Sequence, residues 1–431
     1  MINRIGIAAL WLLGALAVFV GINNFDPYLI KMRGAGNVAL TVAGIVIVIA
    51  LIRRGYWRRS IMAKLLVLLW CLAPVAMLGS HIVFEVRKRD VLQTETAQAH
   101  LLGQHFVVGY SSFEEVADLA EKGLIAGIYI SRRNLSGRKA DALRIEISAL
   151  QERRRRGNLP PLSVAADQEG GIVSHLSPAL TRLPALATLA GLSRDIRAEQ
   201  AEEFGRRHGQ ELAALGVTVN FAPVLDLRPE AKRNRFDFHT LIGQRAISGD
   251  PAEVAAVALP YVRGLEASGV GATVKHFPGL GRVRDDTHHF SADLDTPLDE
   301  LEASDWRPFR DVLAGSRAQL MVGHVTLTVA DPDRPASHSK RVIDGILRQK
   351  WNYQGVVITD DLVMGAIYQK NVCTAVVEAL NAGVDLLLVA YDGAQFYRVF
   401  ACASAGWRKG KLDPAMLRAS EVRLKRALTL D

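Results

Sequence analysis

Acidic residues are nearly missing from the first 90 residues of this 431-residue chain. That stretch holds 11 Lys and Arg against 3 Asp and Glu, so it accounts for the whole formal net charge of +8. The rest of the chain carries 41 residues of each sign and is neutral. A neutral body lacks the basic footprint of a nucleic-acid-binding protein, so nucleic acid is excluded as a partner.

Cysteine is also scarce. Three residues are too few for a disulfide framework, and a bridge between Cys373 and Cys402 is left open by the sequence. Internal repeats, low-complexity tracts and a second hydrophobic core are absent from residues 91–431. The length leaves room for several average domains or one large α/β barrel.

Long apolar runs are present at the N-terminus, at 5–22, 36–52 and 65–84, and each is of spanning or near-spanning length. The loop before the third run carries four arginines in RRGYWRRS, and short basic loops stay in the cytoplasm. The sequence therefore predicts a multi-pass anchor at 1–90 in the cytoplasmic (inner) membrane, with the lipid bilayer as a partner. Residues 91–431 would face the periplasm or exterior. A cleaved signal peptide is the alternative for the first run, but no small-residue cleavage site follows it.

Eight apolar, β-branched-rich runs recur through the body, each followed by a helical pattern. They are 105–110, 127–131, 162–167, 217–224, 272–277, 318–325, 355–361 and 385–391. Continuous runs of this kind are typical of parallel strands that are covered on both faces. The alternation predicts an α/β fold, a (β/α)8 TIM-type barrel; an open doubly wound sheet is the alternative.

Polar residues gather at the predicted C-terminal ends of these strands, where barrel enzymes keep their sites. Asp360 stands directly at a strand end in VVITDDLVMGA, where a carboxylate can act as nucleophile, metal ligand or substrate clamp. Its neighbour Asp361 suits a helix cap. Other such positions are Asp167, Asp226, Lys275, His276 and His324.

A second motif lies in the loop KHFPGLGRVRDDTHH at 275–289. Residues two apart in an extended loop point the same way, so Asp286 can orient and charge the imidazole of His288 for acid–base work. His289 offers a third ligand for a metal, but zinc prefers cleaner ligand sets, so we expect no metal and no cofactor. A solvated polar loop is the alternative for this motif taken alone.

The motifs DQEGG, GVTVNFAPVLDL, IGQRAIS, KHFPGLG with DDTHH, and GVVITDDLVMGAI, in this order, resemble the hallmarks of glycoside hydrolase family 3. The resemblance is closest to the bacterial β-N-acetylglucosaminidase (β-N-acetylhexosaminidase) branch and spans about residues 100–395. The ordered set is specific, although no single motif is. That branch has a mobile loop that carries an acid/base pair, with the pattern K-H-F-P-G-H-G, four further residues and then D-S-H. The first part aligns with residues 275–281 of this chain and the second part with residues 286–288.

The resemblance implies a role for each aligned residue. Asp360 would be the nucleophile that forms a covalent glycosyl intermediate, and His288, held by Asp286, would be the acid/base. Two such displacements give retention, with a histidine in place of the second carboxylate of the usual pair. The residues that match sugar-binding positions are Asp167, Arg245, Lys275 and His276.

The chain departs from the family pattern at several positions, none of which removes the nucleophile or the acid/base pair. Leu280 replaces the second histidine of the loop, Arg282 and Val283 stand where Asp-Thr is usual, Thr287 replaces serine, and Ile172 replaces an arginine. The resemblance implies a retaining exo-enzyme that removes β-linked N-acetylglucosamine from peptidoglycan or chitin fragments, oligosaccharides or muropeptides. A β-glucosidase, a glycoside phosphorylase and a membrane-tethered sugar receptor without turnover remain alternatives.

Overall fold

The structure, a computed structural model, describes residues 4–229, 240–283 and 292–429. The chain divides into two compact units, Met1–Gln93 and Thr94–Asp431. The division falls just after the third long apolar helix of the N-terminal region. Each unit has a buried apolar cluster of its own.

Three long helices dominate the N-terminal unit: Arg4–Ile22, Ala35–Arg53 and Ile61–Leu92. All three are long and apolar enough to cross a membrane, and the predicted runs 5–22, 36–52 and 65–84 lie within their bounds. The third helix extends beyond its predicted run at both ends, and Pro74 lies inside it without ending it. The short segments Pro27–Met32 and Tyr56–Arg58 lie between the long helices.

Close approach of the first and third helices holds this unit together. A Cβ atom on Gly21 would lie 3.0 Å from the carbonyl oxygen of Ala73, a tight contact that favours a glycine. The indole Nε1 of Trp70 donates to the carbonyl oxygen of Leu10 at 3.0 Å. Large apolar side chains such as Leu12 point outward, 72% exposed. An apolar exterior of this kind is typical of helices that contact lipid.

The second unit is a closed barrel of eight parallel strands, in which each strand pairs with its neighbours along the chain. We number them β1 to β8: Phe106–Gly109, Gly127–Ile130, Ser163–Ala166, Val219–Asn220, Gly271–Phe277, Gln319–Val322, Val357–Asp361 and Leu386–Val389. Each predicted apolar run coincides with one of these strands; seven runs contain their strand, and β5 begins one residue before its run. The (β/α)8 prediction is therefore confirmed.

A helix follows each strand and covers the outside of the barrel. In order these helices are Phe113–Glu121, Ala140–Arg156, Arg194–Leu215, Pro251–Glu266, Arg307–Gly315, Arg341–Lys350, Gly365–Ala382 and Phe396–Arg408. Thr96–Gly103 precedes β1, Pro414–Thr429 ends the described chain, and Ala187–Ala190, Ile242–Arg245 and Leu298–Ala303 are short. In the described residues, two ribbons lie outside the barrel: Gln168–Gly170 with antiparallel Val173–Ser174, and Ala292–Leu294 with parallel Val325–Leu327.

The barrel is closed by buried side chains at the N-terminal ends of its strands. Asp385, fully buried just before β8, accepts from Arg348 Nη2 at 2.7 Å and Arg423 Nε at 2.8 Å. Its carboxylate also accepts from the backbone N–H of Val357 at 2.8 Å. The C-terminal helix that carries Arg423 packs Leu424 against the apolar cluster of the barrel interior. This end is therefore sealed by packing and paired charge.

A disulfide joins Cys373 and Cys402, whose Cα atoms are 4.9 Å apart. The two cysteines belong to Gly365–Ala382 and Phe396–Arg408, the helices that follow β7 and β8. The sequence left this bridge open, because a pairing between two helices depends on their packing. Cys71 in the third apolar helix is free.

Candidate active site

Charged residues converge at the opposite, C-terminal end of the strands. The ribbon strand Gln168–Gly170, directly after Asp167, carries Glu169. β5 carries Lys275 and His276 near its C-terminal end, and the short helix Ile242–Arg245 carries Arg245. Four of these five side chains match sugar-binding positions of the resemblance. The structure brings all four together: Lys275 and Arg245 contact Glu169, Asp167 contacts Lys275, and His276 adjoins Arg245.

Glu169 is the centre of this cluster, which we call the ion network. Arg245 donates to both of its carboxylate oxygens, at 3.0 Å from Nε and 2.6 Å from Nη2. Lys275 Nζ lies 2.7 Å from Glu169 Oε1 and also contacts Asp167 Oδ1. Two carboxylates thus face two cations in a nearly dry site, where unpaired charge would be costly.

In the ion network, neighbouring opposite charges shift the pKa values more strongly than burial does. Burial alone would raise the pKa of Glu169, but the charges of Arg245 and Lys275 outweigh it and hold that pKa well below its usual range. Burial likewise opposes the charge of Lys275, whose pKa Asp167 and Glu169 nevertheless raise above its ordinary value. Glu169, Arg245 and Lys275 are therefore charged at neutral pH, which suits the network to bind hydroxyl groups strongly.

Tyr129, on β2, fixes the orientation of Asp167. Its hydroxyl donates to Asp167 Oδ2 at 2.7 Å and lies 3.1 Å from Nδ1 of His175. Burial, followed by the charge of Asp167, raises the pKa of Tyr129 well above its usual value. The phenol therefore keeps its proton and acts as a donor. With Lys275 on the other oxygen, the Asp167 carboxylate is held from both sides.

His276 is positioned through both of its ring nitrogens. Its Nδ1 lies 2.7 Å from Asp226 Oδ2, and its Nε2 lies 3.4 Å from Arg245 Nη2. Asp226 also accepts from the backbone N–H of Leu280 at 2.7 Å, in the turn where Gly279 has a φ of +108° that favours glycine. One carboxylate therefore orients the imidazole and the start of the loop that follows.

Asp360 and Asp361 end β7, and the structure separates their roles. The carboxylate of Asp361 is buried and accepts backbone N–H groups of Val363 at 3.1 Å, Ala390 at 3.0 Å and Tyr391 at 2.7 Å. Burial raises the pKa of Asp361 to about 6 against these three donors, and the charge of Asp360 raises it further. Because the next helix begins only at Gly365, Asp361 joins the ends of β7 and β8 instead of capping a helix.

Asp360 is only partly buried, and its Oδ1 accepts from the backbone N–H of Asp361 at 2.8 Å. It is therefore the better placed of the two carboxylates to meet a substrate. Asp286 and His288 lie outside the described residues, as do Thr287 and His289. Within 4–229, 240–283 and 292–429, no group of three His, Cys, Asp or Glu side chains could hold a metal ion.

Residues at the start of the loop show what two departures from the family pattern do. Leu280 is 2% exposed and packs inside the protein instead of offering an imidazole. Arg282 donates from Nε to Asp305 Oδ2 at 2.8 Å and from Nη1 to Glu300 Oε1 at 2.5 Å. The entry to the loop is therefore fixed by packing and by ion pairs to the segment around Leu298–Ala303.

Sequence reasoning missed several residues of the site. Glu169 stood inside the quoted motif DQEGG, where a second acidic residue two positions after Asp167 was the available signal. Tyr129 and His175 gave no signal, because their contacts depend on how β2 and the Gln168–Gly170 ribbon meet. Asp226 and His324 were noted at strand ends but given no role.

The profile described as Glycosyl hydrolase family 3 N terminal domain matches residues 95–427. The chain belongs to this family. The match confirms the predicted enzyme class, a glycosidase that hydrolyses O-glycosyl bonds.

Curated relatives and solved structures agree with this assignment. A Beta-hexosaminidase of Actinobacillus succinogenes is 36% identical over 290 residues, which are 65% of this chain and 78% of the relative. A Beta-hexosaminidase of Xylella fastidiosa is 37% identical over 289 residues, 66% of this chain and 82% of the relative.

Among solved structures, a family 3 β-N-acetylglucosaminidase from Paenibacillus sp. has a TM-score of 0.69 at 32% identity, covering 77% of this chain and 62% of its own. A family 3 glycosyl hydrolase from Mycobacterium smegmatis has a TM-score of 0.67 at 30% identity, covering 78% of this chain and 97% of its own. The predicted resemblance to the β-N-acetylhexosaminidase branch is confirmed by these relatives.

Proposed function

We propose that the protein is a membrane-anchored, retaining β-N-acetylhexosaminidase that removes terminal β-linked N-acetylglucosamine from peptidoglycan- or chitin-derived saccharides. Residues 1–90 form the anchor and residues 91–431 the catalytic domain. The observation that carries the proposal is the buried, charge-paired ion network at the C-terminal end of the barrel, at the same end as the partly exposed carboxylate of Asp360. The names of the curated relatives support the choice of sugar.

The ion network binds the non-reducing sugar. A neutral sugar has only hydroxyl and amide groups, so charged partners with fixed geometry are needed to orient it. Asp167, 19% exposed in its side chain, accepts a hydrogen bond from a sugar hydroxyl, while Lys275 and Arg245 donate hydrogen bonds to the sugar. His276, set by Asp226, adds a further contact. Because the charged groups already pair with each other, binding the sugar requires little rearrangement.

The reaction proceeds in two displacements. A carboxylate oxygen of Asp360 attacks the anomeric carbon, the glycosidic C–O bond breaks, and His288 gives its proton to the leaving oxygen. His288, oriented by Asp286, then takes a proton from water, whose oxygen attacks the same carbon and releases Asp360. Two inversions give net retention.

Substrate choice is tested by turnover of a chromogenic β-N-acetylglucosaminide and the matching β-glucoside, each with and without phosphate. The proposal predicts preference for the N-acetyl sugar and no acceleration by phosphate. Preference for the glucoside, or a sugar phosphate product, would favour one of the alternative enzymes. No turnover of either by folded protein would favour the sugar receptor.

We also propose that the catalytic domain faces the periplasm or exterior. The basic loop with Arg53 and Arg54 favours a cytoplasmic position for the segment between the second and third helices. The Cys373–Cys402 disulfide supports the same orientation, because disulfides persist in oxidising compartments. Fusions after residue 95 should be active with alkaline phosphatase and dark with a cytoplasmic fluorescent protein. The opposite pattern would place the barrel in the cytoplasm.

A further inference from the structure

His324 lies at the end of β6 and has no role in the mechanism described so far. It is 1% exposed, and both ring nitrogens have partners. Nδ1 is 2.7 Å from the hydroxyl of Ser337, and Nε2 is 3.0 Å from the carbonyl oxygen of Asp361. The imidazole therefore bridges the β6 end, the segment Ala336–His338 and the β7 end.

The hydrogen-bond partners fix the proton on this ring. A carbonyl oxygen can only accept, so Nε2 must carry a proton and donate to Asp361. In the neutral ring Nδ1 then accepts a hydrogen bond from the hydroxyl of Ser337. That hydroxyl oxygen is also 3.3 Å from Nδ1 of His338, which can donate to it. The hydrogen bonds from His338 to Ser337 and from Ser337 to His324 therefore leave Nε2 of His324 as the donor to Asp361.

The carbonyl of Asp361 matters because every polar group of that residue is engaged. Its carboxylate accepts three backbone N–H groups, its own N–H donates to Asp360 Oδ1 at 2.8 Å, and its carbonyl accepts from His324. The N–H of Asp361 can aim at the Asp360 carboxylate only if the residue keeps this orientation. His324 holds the remaining end of the residue.

His324 also adjoins the exit of the loop that carries the acid/base pair. The next residues, Val325–Leu327, form a parallel ribbon with Ala292–Leu294, in which Val325 pairs with Ala292. Ala292 is the first described residue after 284–291. A single short segment thus contacts both the β7 end with its Asp360 and the chain leaving the acid/base loop.

We propose that His324 is a positioning residue: through its Nε2–H bond to Asp361 it holds the Asp360 carboxylate at the attacking angle. The inference rests on the proposed role of Asp360 as nucleophile. His324 touches neither sugar nor leaving group in this role. Its loss would therefore slow attack on the anomeric carbon without weakening sugar binding by the ion network.

The test uses full-length protein in detergent and measures the rate at which a mechanism-based fluorosugar traps the glycosyl–enzyme. His324→Leu removes the donor and should slow trapping and kcat about 10²-fold with KM nearly unchanged, since a misplacement of about 1 Å has effects of that size. His324→Gln offers an amide N–H where Nε2 stood and should recover most of the rate. A purely structural role would lower the thermal midpoint and leave the trapping rate of folded enzyme unchanged.

Ser337→Ala is the milder variant, which keeps the test decisive if His324→Leu does not fold. It removes the hydroxyl at Nδ1 and should slow trapping about threefold to tenfold, the effect of one hydrogen bond. Wild-type trapping rates in the folded variants, or equal losses in His324→Gln and His324→Leu, would overturn the inference. Mapping the wild-type adduct separates the two proposals. An adduct on another carboxylate refutes the nucleophile, whereas an adduct on Asp360 with unchanged rates refutes only the role of His324.

Discussion

The two ends of the barrel carry similar ion networks and differ in what those networks leave accessible. At the N-terminal end Asp385 is fully buried between Arg348 and Arg423, whose side chains are 9% and 10% exposed. At the C-terminal end the Asp167 side chain is 19% exposed, and Asp360 at the end of β7 is partly exposed as well. Buried paired charge therefore does not identify an active site by itself. What distinguishes the active site is that some of its charged side chains are partly exposed and that a reactive carboxylate stands at the end of a strand.

The largest effect is expected at the open end. Asp360→Asn should lower kcat about 10⁴-fold or more, as loss of a catalytic nucleophile does, because the amide cannot form the glycosyl ester. The thermal midpoint should change little, since Asp360 is only partly buried. Steady-state kinetics and melting of the full-length protein in detergent check both. Retained activity would make another carboxylate the nucleophile.

His288→Ala should give the next largest effect and separate the acid/base from a solvated loop. We expect a loss of about 10²–10⁴-fold on substrates with poor leaving groups, the usual range for general acid catalysis. Good leaving groups need little protonation, so their glycosylation should suffer much less, and azide should rescue turnover of the accumulated intermediate. Asp286→Ala should show a weaker version of the same pattern. Equal losses on both substrate types, without rescue, would limit His288 to binding or loop shape.

Asp385→Asn makes the same chemical change at the closed end and is the matched control for Asp360→Asn. Removing one partner leaves Arg348 and Arg423 with uncompensated buried charge, so we expect about 3–5 kcal/mol less stability. The kcat of the protein that remains folded should be unchanged. Chemical unfolding and kinetics below the melting range measure the two. A large loss of kcat without loss of stability would contradict the purely structural role assigned to the N-terminal end of the barrel.

The smallest expected effect is the pH dependence of stability at Glu169. Its pKa in the folded protein is below the ordinary value, so its stabilising contribution is fully present above about pH 4.3, where the unfolded side chain is also charged. That contribution is lost as the pH falls through the folded pKa. The difference in thermal midpoint between wild type and Glu169→Gln should therefore be constant from pH 8 to about 5 and shrink in stronger acid. A difference that grows on acidification would reverse the assigned sign.

Much of this architecture followed from local sequence patterns. The eight strands and the three apolar helices were predictable because each depends on a continuous run of apolar residues. Asp167, Arg245, Lys275 and His276 were named from motifs, and the structure places them in one cluster. The Asp361 carboxylate and the Tyr129–Asp167 bond were not predictable, because each joins neighbouring strands through atoms that only the closed barrel brings together. The disulfide depends in the same way on helix packing.

The most direct test of the account is to identify the residue that carries the sugar in the trapped intermediate. Full-length protein is treated with a mechanism-based fluorosugar, digested, and the labelled peptide is sequenced by mass spectrometry. We expect a single glycosyl ester, on Asp360. An ester on Asp361, which the structure places in backbone hydrogen bonds, or on Asp167, which it places in the ion network, would contradict it.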